Sequence, residues 1–141
     1  MSTYPAAGPS KARLDPEELI AASQKATGLE DFGETDPRES LHQLTQSLNE
    51  EACLTEAGVV GKRGSLLRVL SNRLLLHDAF VRNPRIADEK IVKPIVILGL
   101  PRSGTTKLHR MIAADPQMQK LPLWKLLYPV RALTPGPGTD V

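Results

Sequence analysis

Residues 94–106 read Pro94-Ile95-Val96-Ile97-Leu98-Gly99-Leu100-Pro101-Arg102-Ser103-Gly104-Thr105-Thr106. The aliphatic and mostly β-branched run from Ile95 to Leu98 predicts a strand buried on both faces, as in parallel sheets covered by helices. Pro94 is tolerated because it stands at the first position of this strand. After the loop we predict a helix with one apolar face and an end at Asp115-Pro116; the face consists of Leu108, Met111 and Ile112. The predicted unit is strand, loop, helix.

The loop between strand and helix has the glycine spacing of a phosphate-cradling loop, because four residues separate Gly99 from Gly104. Glycines let the backbone approach an anion and adopt positive φ angles, and the helix N-terminus adds a partial positive charge. Thr105 stands where a nucleotide triphosphatase loop has Lys, while Thr106 keeps the hydroxyl position. Arg102 instead offers a planar fork of charged donors inside the loop. The pattern predicts an anion site whose cation is Arg102.

The string from Pro101 to Thr106 resembles the 5′-phosphosulfate loop of sulfotransferases. Together with residues 94–100 and the following Leu108-His109-Arg110 and Ala114-Asp115-Pro116, it is similar to the bacterial sulfotransferase branch. The segment Leu54 to Gly58 also resembles that branch, more weakly. The resemblance covers nearly the whole chain.

The resemblance implies transfer of a sulfuryl group from 3′-phosphoadenosine-5′-phosphosulfate to an acceptor hydroxyl or amine. It assigns Arg102 as the catalytic residue that stabilises the bridging and leaving oxygens. The donor-binding set is Pro101, Arg102, Ser103, Gly104, Thr105 and Thr106, acting through backbone N–H groups and hydroxyls. No metal is expected, because a sulfuryl group carries less charge than a phosphoryl group and no ligand cluster is visible. The expected acceptor is a small molecule or a lipid.

Two further positions near the loop are candidates for a role in proton transfer. His109 has no partner that can be named, so we expect it to pack or to face solvent. Related sulfotransferases often have a Glu after a Trp in this region, but here Lys125 follows Trp124. A protonated Lys cannot accept a proton from the acceptor. The general base is therefore unassigned.

Capping residues and apolar periodicity predict three helices in the N-terminal part of the chain. Asp15-Pro16 begins a helix that Gly28 ends, so we expect it to run from about Pro16 to Thr27. The next two helices are predicted from Asp36-Pro37 to a point before Gly58, and from Ser65 to Val81, and we expect these two to pack together. The expected organisation is a disordered tail at 1–14, a helical region at 15–90, and the start of a P-loop-like sulfotransferase domain at 91–141.

Composition excludes several classes of protein. With 40% apolar residues the chain is globular rather than disordered. The net charge is +2, and its charges are spread along the chain, so nucleic acid is not an expected partner. The longest apolar run is far too short for a membrane span, and no signal peptide is seen, which predicts a soluble, cytoplasmic protein. Cys53 stands alone, so no internal disulfide can form. Oligomeric state cannot be derived from the sequence.

The predicted fold class is α/β: a helical N-terminal region followed by the first strand, phosphate loop and helix of a P-loop-type parallel sheet. One strand cannot make a sheet, and the family's second donor site, an Arg and a Ser that hold the 3′-phosphate, is expected downstream of Val141. We therefore expect an N-terminal fragment that is inactive alone. Two alternatives stay open: another P-loop nucleotide-binding enzyme, and a truncated, non-catalytic product.

Overall fold

The computed structural model describes residues 12–130. The chain divides into two compact units, Met1–Asn83 and Pro84–Val141. This division lies earlier in the chain than the one expected after residue 90. Most of the predicted N-terminal tail, and the end of the predicted sulfotransferase domain, lie outside the described residues.

The first helix, α1, spans Pro16–Thr27, as predicted. Asp15 caps its N-terminus, where Oδ1 accepts hydrogen bonds from the backbone N–H groups of Glu17 at 2.9 Å and Glu18 at 3.2 Å. Gly28 ends the helix in the left-handed conformation, at φ 70°. Local capping signals therefore suffice to place both ends of α1.

The second helix, α2, spans Arg38–Glu50. Asp36 helps to start it, because Oδ1 accepts a hydrogen bond from the N–H of Arg38 at 2.9 Å. After Glu50 the chain leaves the helix and passes through Cys53, which has a positive φ of 45°. The helix therefore ends before Gly58, as predicted.

The third helix, α3, spans Glu56–Arg82 and begins well before the predicted start at Ser65. Thr55 caps it, since Oγ1 accepts a hydrogen bond from the N–H of Gly58 at 3.2 Å. The early part of α3 contains three glycines, and each disfavours a helix by about 0.5–1 kcal/mol relative to Ala. The periodic pattern that marks a helix is therefore weak there, although packing and the cap sustain one.

The core of the first unit forms around α1, which packs against both α2 and α3. No residue pair of α2 and α3 has Cα atoms within 8 Å, so the expectation that these two helices pack together is wrong. Ser23 on α1 is fully buried, and its hydroxyl donates to the carbonyl of Ile20 at 2.8 Å. The buried cluster consists of Leu19, Ile20, Phe32, Leu41, Leu70 and Leu74.

The loop between α1 and α2 is fastened to α3 by Arg73. Its Nε donates to the carbonyl of Phe32 at 3.0 Å, and its Nη2 donates to the carbonyl of Thr35. Carbonyl groups in an irregular segment are not paired by a helix or a sheet, so each needs another hydrogen-bond donor. Arg73 supplies that donor to the carbonyls of Phe32 and Thr35.

Asp31 and His77 form a second link between the same loop and α3. The His77 Nε2 lies 3.1 Å from the Asp31 Oδ2, and Asp31 Oδ1 accepts a hydrogen bond from the N–H of Gly33 at 2.8 Å. The bond from Gly33, and next the bond to His77, hold the pKa of the Asp31 carboxyl below its ordinary value.

Leu14 joins the N-terminal segment to α2. It is buried, and the Asn49 side chain bonds both its backbone N–H at 2.9 Å and its carbonyl at 3.0 Å. These contacts fix the residue that precedes the Asp15 cap.

The second unit contains a 3₁₀ helix at Pro84–Asp88 and two α-helices, α4 at Thr105–Ile112 and α5 at Leu123–Leu127. Helix α4 confirms the helix predicted after the loop. It ends with the N–H of Ala113 bonded to the carbonyl of His109 at 2.9 Å, before the predicted stop at Asp115-Pro116. The helical N-terminal region and the loop helix are thus both present.

Residues 94–100 form no regular secondary structure, and residues 12–130 contain no strand. The side chains expected to be buried on both faces are exposed: Ile95 by 56%, Val96 by 73% and Leu98 by 87%. A strand is defined by hydrogen bonds to a neighbouring strand, and the described part of the chain provides no such neighbour. The strand and the parallel sheet therefore stay predictions.

Candidate functional site

The candidate site begins with a tight turn at Leu100 to Ser103. The Ser103 N–H donates to the carbonyl of Leu100 at 3.1 Å, with Pro101 and Arg102 at the two central positions. Arg102 has a positive φ of 66°. A proline followed by a residue with positive φ is typical of a type II turn, which prefers Gly or Asn at the second position. An Arg in this left-handed region costs about 1–2 kcal/mol.

The Ser103 side chain closes the same turn a second time. Its Oγ donates to the Leu100 carbonyl at 2.6 Å. Both donors of Ser103, the backbone N–H and the hydroxyl, are therefore directed to one carbonyl within the loop. The resemblance had assigned this residue to hold the phosphosulfate through those same groups.

The two loop glycines serve different purposes. Gly104 has a φ of 87°, which an L-residue rarely adopts, as predicted for a loop of this kind. At Gly99 the requirement is space: an added Cβ would lie 2.6 Å from the Ser103 Oγ and 2.7 Å from the Thr105 Cγ2. The absent side chain at Gly99 thus makes room for Ser103 and Thr105.

Helix α4 presents unpaired backbone donors at its N-terminus. Gly104 precedes the helix without a side-chain cap, and its carbonyl accepts the N–H groups of Lys107 at 3.0 Å and Leu108 at 3.1 Å. The N–H groups of Thr105 and Thr106 have no hydrogen-bond partner within residues 12–130. Such N–H groups and the partial positive charge of a helix N-terminus favour an anion.

Arg102 adds a full positive charge beside these donors. Its side chain is exposed, and no carboxylate in the described part of the chain forms an ion pair with it. Residues 90–114 contain five Lys or Arg residues and no Asp or Glu. The loop therefore lies in a stretch of uniformly positive charge, which favours anionic ligands.

This charge separation between the two parts of the chain is a signal that the sequence analysis missed. Residues 1–83 contain nine basic and twelve acidic residues, a net charge of −3, while residues 84–141 contain nine basic and four acidic residues, a net charge of +5. The overall value of +2 and the even spacing of charges hide the difference. Counting the charge of each part separately reveals it.

The predicted site residues all lie in the turn and at the start of α4. Pro101 and Arg102 occupy the turn, Ser103 closes it, Gly104 precedes the helix, and Thr105 and Thr106 form its first turn. The space-making role of Gly99 and the internal bonds of Ser103 were not predicted. Both depend on distances within the loop, which a residue pattern does not contain.

The two candidate positions for proton transfer, His109 and Lys125, lie outside the loop. His109 is exposed on α4. The Lys125 Nζ lies 5.5 Å from the centroid of the Trp124 ring, a cation–π arrangement that suits a charged ammonium. The general base therefore stays unassigned.

A groove of about 500 Å³ lies in the first unit, between the N-terminal segment, α1 and α2. It is open and partly polar, and none of its lining residues belongs to the loop. Ligand sites usually combine a concave surface with polar groups that converge on one point. The groove is therefore separate from the loop in which the predicted site residues lie.

Residues 12–130 provide neither a metal site nor a membrane-spanning helix. This part of the chain has no group of three or more His, Cys, Asp or Glu side chains placed to hold a metal ion. None of its helices combines the length and the apolar character that crossing a membrane requires.

One family profile matches part of the second unit's sequence. The profile of the sulfotransferase family matches residues 94–138, a segment that includes the whole loop and α4. The resemblance seen in the residues is thus confirmed for this segment, and sulfuryl transfer is the reaction class of that family. Searches of curated proteins and of solved structures gave no significant match.

Proposed function

We propose that this chain, whose residues 94–138 match the sulfotransferase family, contributes the loop that binds the 5′-phosphosulfate of 3′-phosphoadenosine-5′-phosphosulfate. One observation supports this proposal most strongly. Within the matched segment, Pro101 to Thr106 form a turn that leads into α4, and the N–H groups of Thr105 and Thr106 have no hydrogen-bond partner among residues 12–130. These groups and Arg102 suit an anion with several oxygens.

Residues of the loop would divide the work of holding the donor. The N–H groups and hydroxyls of Thr105 and Thr106 would bind oxygens of the 5′-phosphosulfate, with Gly104 allowing the backbone to turn toward them. Pro101 sets the first half of the turn, because its ring holds φ near the value that this turn requires. These residues bind and orient the group that reacts.

Arg102 is the residue proposed to act in the chemical step. The sulfuryl group passes from the donor to a hydroxyl or amine of a small-molecule or lipid acceptor. The bond from sulfur to the bridging oxygen of the 5′-phosphate breaks as the bond to the acceptor forms, and one proton leaves the acceptor. Negative charge then develops on the leaving 5′-phosphate side, where the guanidinium can donate to two oxygens at once. A sulfuryl group carries less charge than a phosphoryl group, so we propose that the loop needs no metal ion for this step.

The chain departs from a nucleotide triphosphatase loop at the position after Gly104. Such a loop places a Lys there to reach the β- and γ-phosphates, whereas this chain has Thr105. The cation at Arg102 lies earlier in the loop, beside the turn. This difference favours a phosphosulfate over a triphosphate–magnesium complex.

Isothermal titration calorimetry of the purified chain tests the proposal. Adenosine 5′-phosphosulfate lacks the 3′-phosphate and so probes the loop alone, and ATP with and without magnesium is the competitor. We expect adenosine 5′-phosphosulfate to bind without magnesium and more tightly than ATP. Preference for ATP with magnesium would instead support a P-loop nucleotide enzyme.

Two arginine variants sharpen the test. Arg102→Ala removes charge-assisted hydrogen bonds, which predicts affinity weaker by about 10-fold or more. Arg110→Ala removes the same charge from the last turn of α4, outside the loop. We expect it to change the affinity only slightly, since that charge is exposed and screened by salt. Equal binding by the Arg102→Ala variant and the unmodified chain would contradict the role of Arg102.

A further inference from the structure

We propose that the groove beside α2 binds an extended segment of another polypeptide. Hydrogen bonds from the side-chain amides of Gln43 and Gln46 would hold the backbone of that segment. The groove has a volume of about 500 Å³, and none of its lining residues belongs to the loop before α4. The proposal therefore goes beyond the proposed function and does not depend on it.

The protein already holds a piece of its own backbone in this way at one end of the groove. The Leu14 N–H donates to the Asn49 Oδ1 at 2.9 Å, and the Asn49 Nδ2 donates to the Leu14 carbonyl at 3.0 Å. The chain is extended at this point, since the next residue, Asp15, has φ −96° and ψ 120°. A side-chain amide carries both an acceptor and donors, so one Asn or Gln can pair with both backbone groups of a residue. The contact between Asn49 and Leu14 is thus the model for the contacts that we propose with the partner.

Two more amides line the same groove on the preceding turns of α2. Gln46 and Gln43 come three and six residues before Asn49, and residues three apart are neighbours on a helix surface. The Gln43 amide has no hydrogen bond within residues 12–130. The Gln46 Nε2 donates to the Glu50 Oε2 at 3.3 Å, and its carbonyl oxygen has no partner in the same range. Both side chains are exposed, so both can pair with a peptide backbone.

The length of the groove suits a short extended segment. Its lining residues on α2 run from Glu39 to Asn49, which at 1.5 Å per residue is about 15 Å. An extended chain advances about 3.3 Å per residue, so about four or five residues would match this length. Because the groove is open, the partner chain can enter and leave at its ends.

The charges along the groove favour a partner with a basic residue. Glu39 lines the groove and forms no ion pair within residues 12–130. The two lining residues that can be cationic already face carboxylates: Arg13 lies 3.8 Å from Glu50, and His42 lies 3.2 Å from Glu17. The first unit also carries a net charge of −3. A Lys or Arg on the partner segment would therefore find an unpaired carboxylate at the groove.

The experiment is an NMR titration of the isotopically labelled full chain with a pentapeptide of one lysine followed by four alanines, capped at both ends. We expect saturable shifts of the side-chain amide groups of Gln43 and Gln46. The same peptide methylated on its backbone nitrogens keeps its side chains but has no N–H donors, so it should bind about five-fold weaker or more. Equal binding of the two peptides would overturn the proposal, because the backbone would then not be the group that is recognised.

Variants of the two amides test the residues themselves. Gln43→Ala and Gln46→Ala should each weaken binding of the pentapeptide about five-fold, the effect of one lost neutral hydrogen bond. Gln24→Ala is the matched control, since Gln24 carries the same amide on α1 but does not line the groove. Ala favours a helix more than Gln does, so all three variants should keep their helical circular dichroism. Unchanged affinity in both groove variants would overturn the proposal.

Three further outcomes would overturn it. The first is the absence of shifts at Gln43 and Gln46 when the pentapeptide is added. The second is the appearance of those shifts when the concentration of the protein alone is raised, which would identify a second copy of the chain as the occupant. The third is equal affinity for a pentapeptide with glutamate in place of lysine, which would contradict the role of Glu39.

Discussion

Replacing Gly99 by Ala should damage the loop through a steric clash with the side chains of Ser103 and Thr105. The new Cβ would lie 2.6 Å from the Ser103 Oγ and 2.7 Å from the Thr105 Cγ2, whereas ordinary contacts begin at 3.4 Å. The shortfall is 0.8 Å on one side and 0.7 Å on the other. Thr105 is β-branched and lies in the first turn of α4, so its methyl group cannot swing away freely.

Such overpacking typically costs about 1–3 kcal/mol, which corresponds to binding weaker by about 5-fold to 150-fold. Calorimetric titration of Gly99→Ala with adenosine 5′-phosphosulfate measures this loss. Adding Thr105→Ser removes the obstructing methyl group but keeps the hydroxyl, so the double variant should recover part of the affinity. Equally tight binding of adenosine 5′-phosphosulfate by Gly99→Ala and the unmodified chain would refute the clash at Gly99. A double variant that recovers no affinity would refute it too.

Three predictions concern the first unit and can be measured by urea unfolding followed by circular dichroism. Gly61→Ala and Gly64→Ala should each raise the free energy of unfolding by about 0.5–1 kcal/mol, because a Cβ at either site meets nothing within 4 Å; no gain would mean that α3 is not helical there. Arg73→Met keeps the apolar stem but loses the two charged hydrogen bonds to the loop, so it should lower the free energy of unfolding by about 2 kcal/mol. Arg68→Met is the control: it loses no hydrogen bond within residues 12–130 and should change that free energy little. The folded-state pKa of Asp31 lies below its ordinary value, so the stabilisation by this carboxylate is present above about pH 4 and is lost as the pH falls through the folded pKa. Asp31→Asn should therefore make the free energy of unfolding less sensitive to acid. The same pH dependence of unfolding in the variant and the unmodified chain would contradict the link to α3.

Short-range signals predicted α1 well, because all of its determinants are local. Asp15, the proline after it and Gly28 act within one turn of the helix ends that they define. The start of α3 was missed for the opposite reason: three glycines weaken the local preference, and the helix is sustained by a cap and by packing that no short window of sequence contains.

Packing partners were harder to predict than helices. The leucines of α2 and α3 define an apolar stripe on each helix, but a stripe does not say which element it meets. Both helices contact α1 instead of each other.

At the candidate site the residue pattern predicted the positive φ of Gly104, which is confirmed. The anion loop with Arg102 as its cation stays a prediction. Three features of the loop depend on distances of a few tenths of an ångström, which a residue pattern does not contain. They are the left-handed conformation of Arg102, the two hydrogen bonds from Ser103 to the Leu100 carbonyl, and the space at Gly99. The predicted strand at Ile95 to Leu98 needs a neighbouring strand, which local pattern cannot supply.

The most direct test of the central claim is an NMR titration of the isotopically labelled chain with adenosine 5′-phosphosulfate in the absence of magnesium. The account predicts saturable shifts of the backbone amides of Gly104, Thr105 and Thr106, all following one dissociation constant, with the amides of α1 to α3 unchanged. Shifts confined to the groove beside α2, or shifts at the loop only with ATP and magnesium, would contradict it.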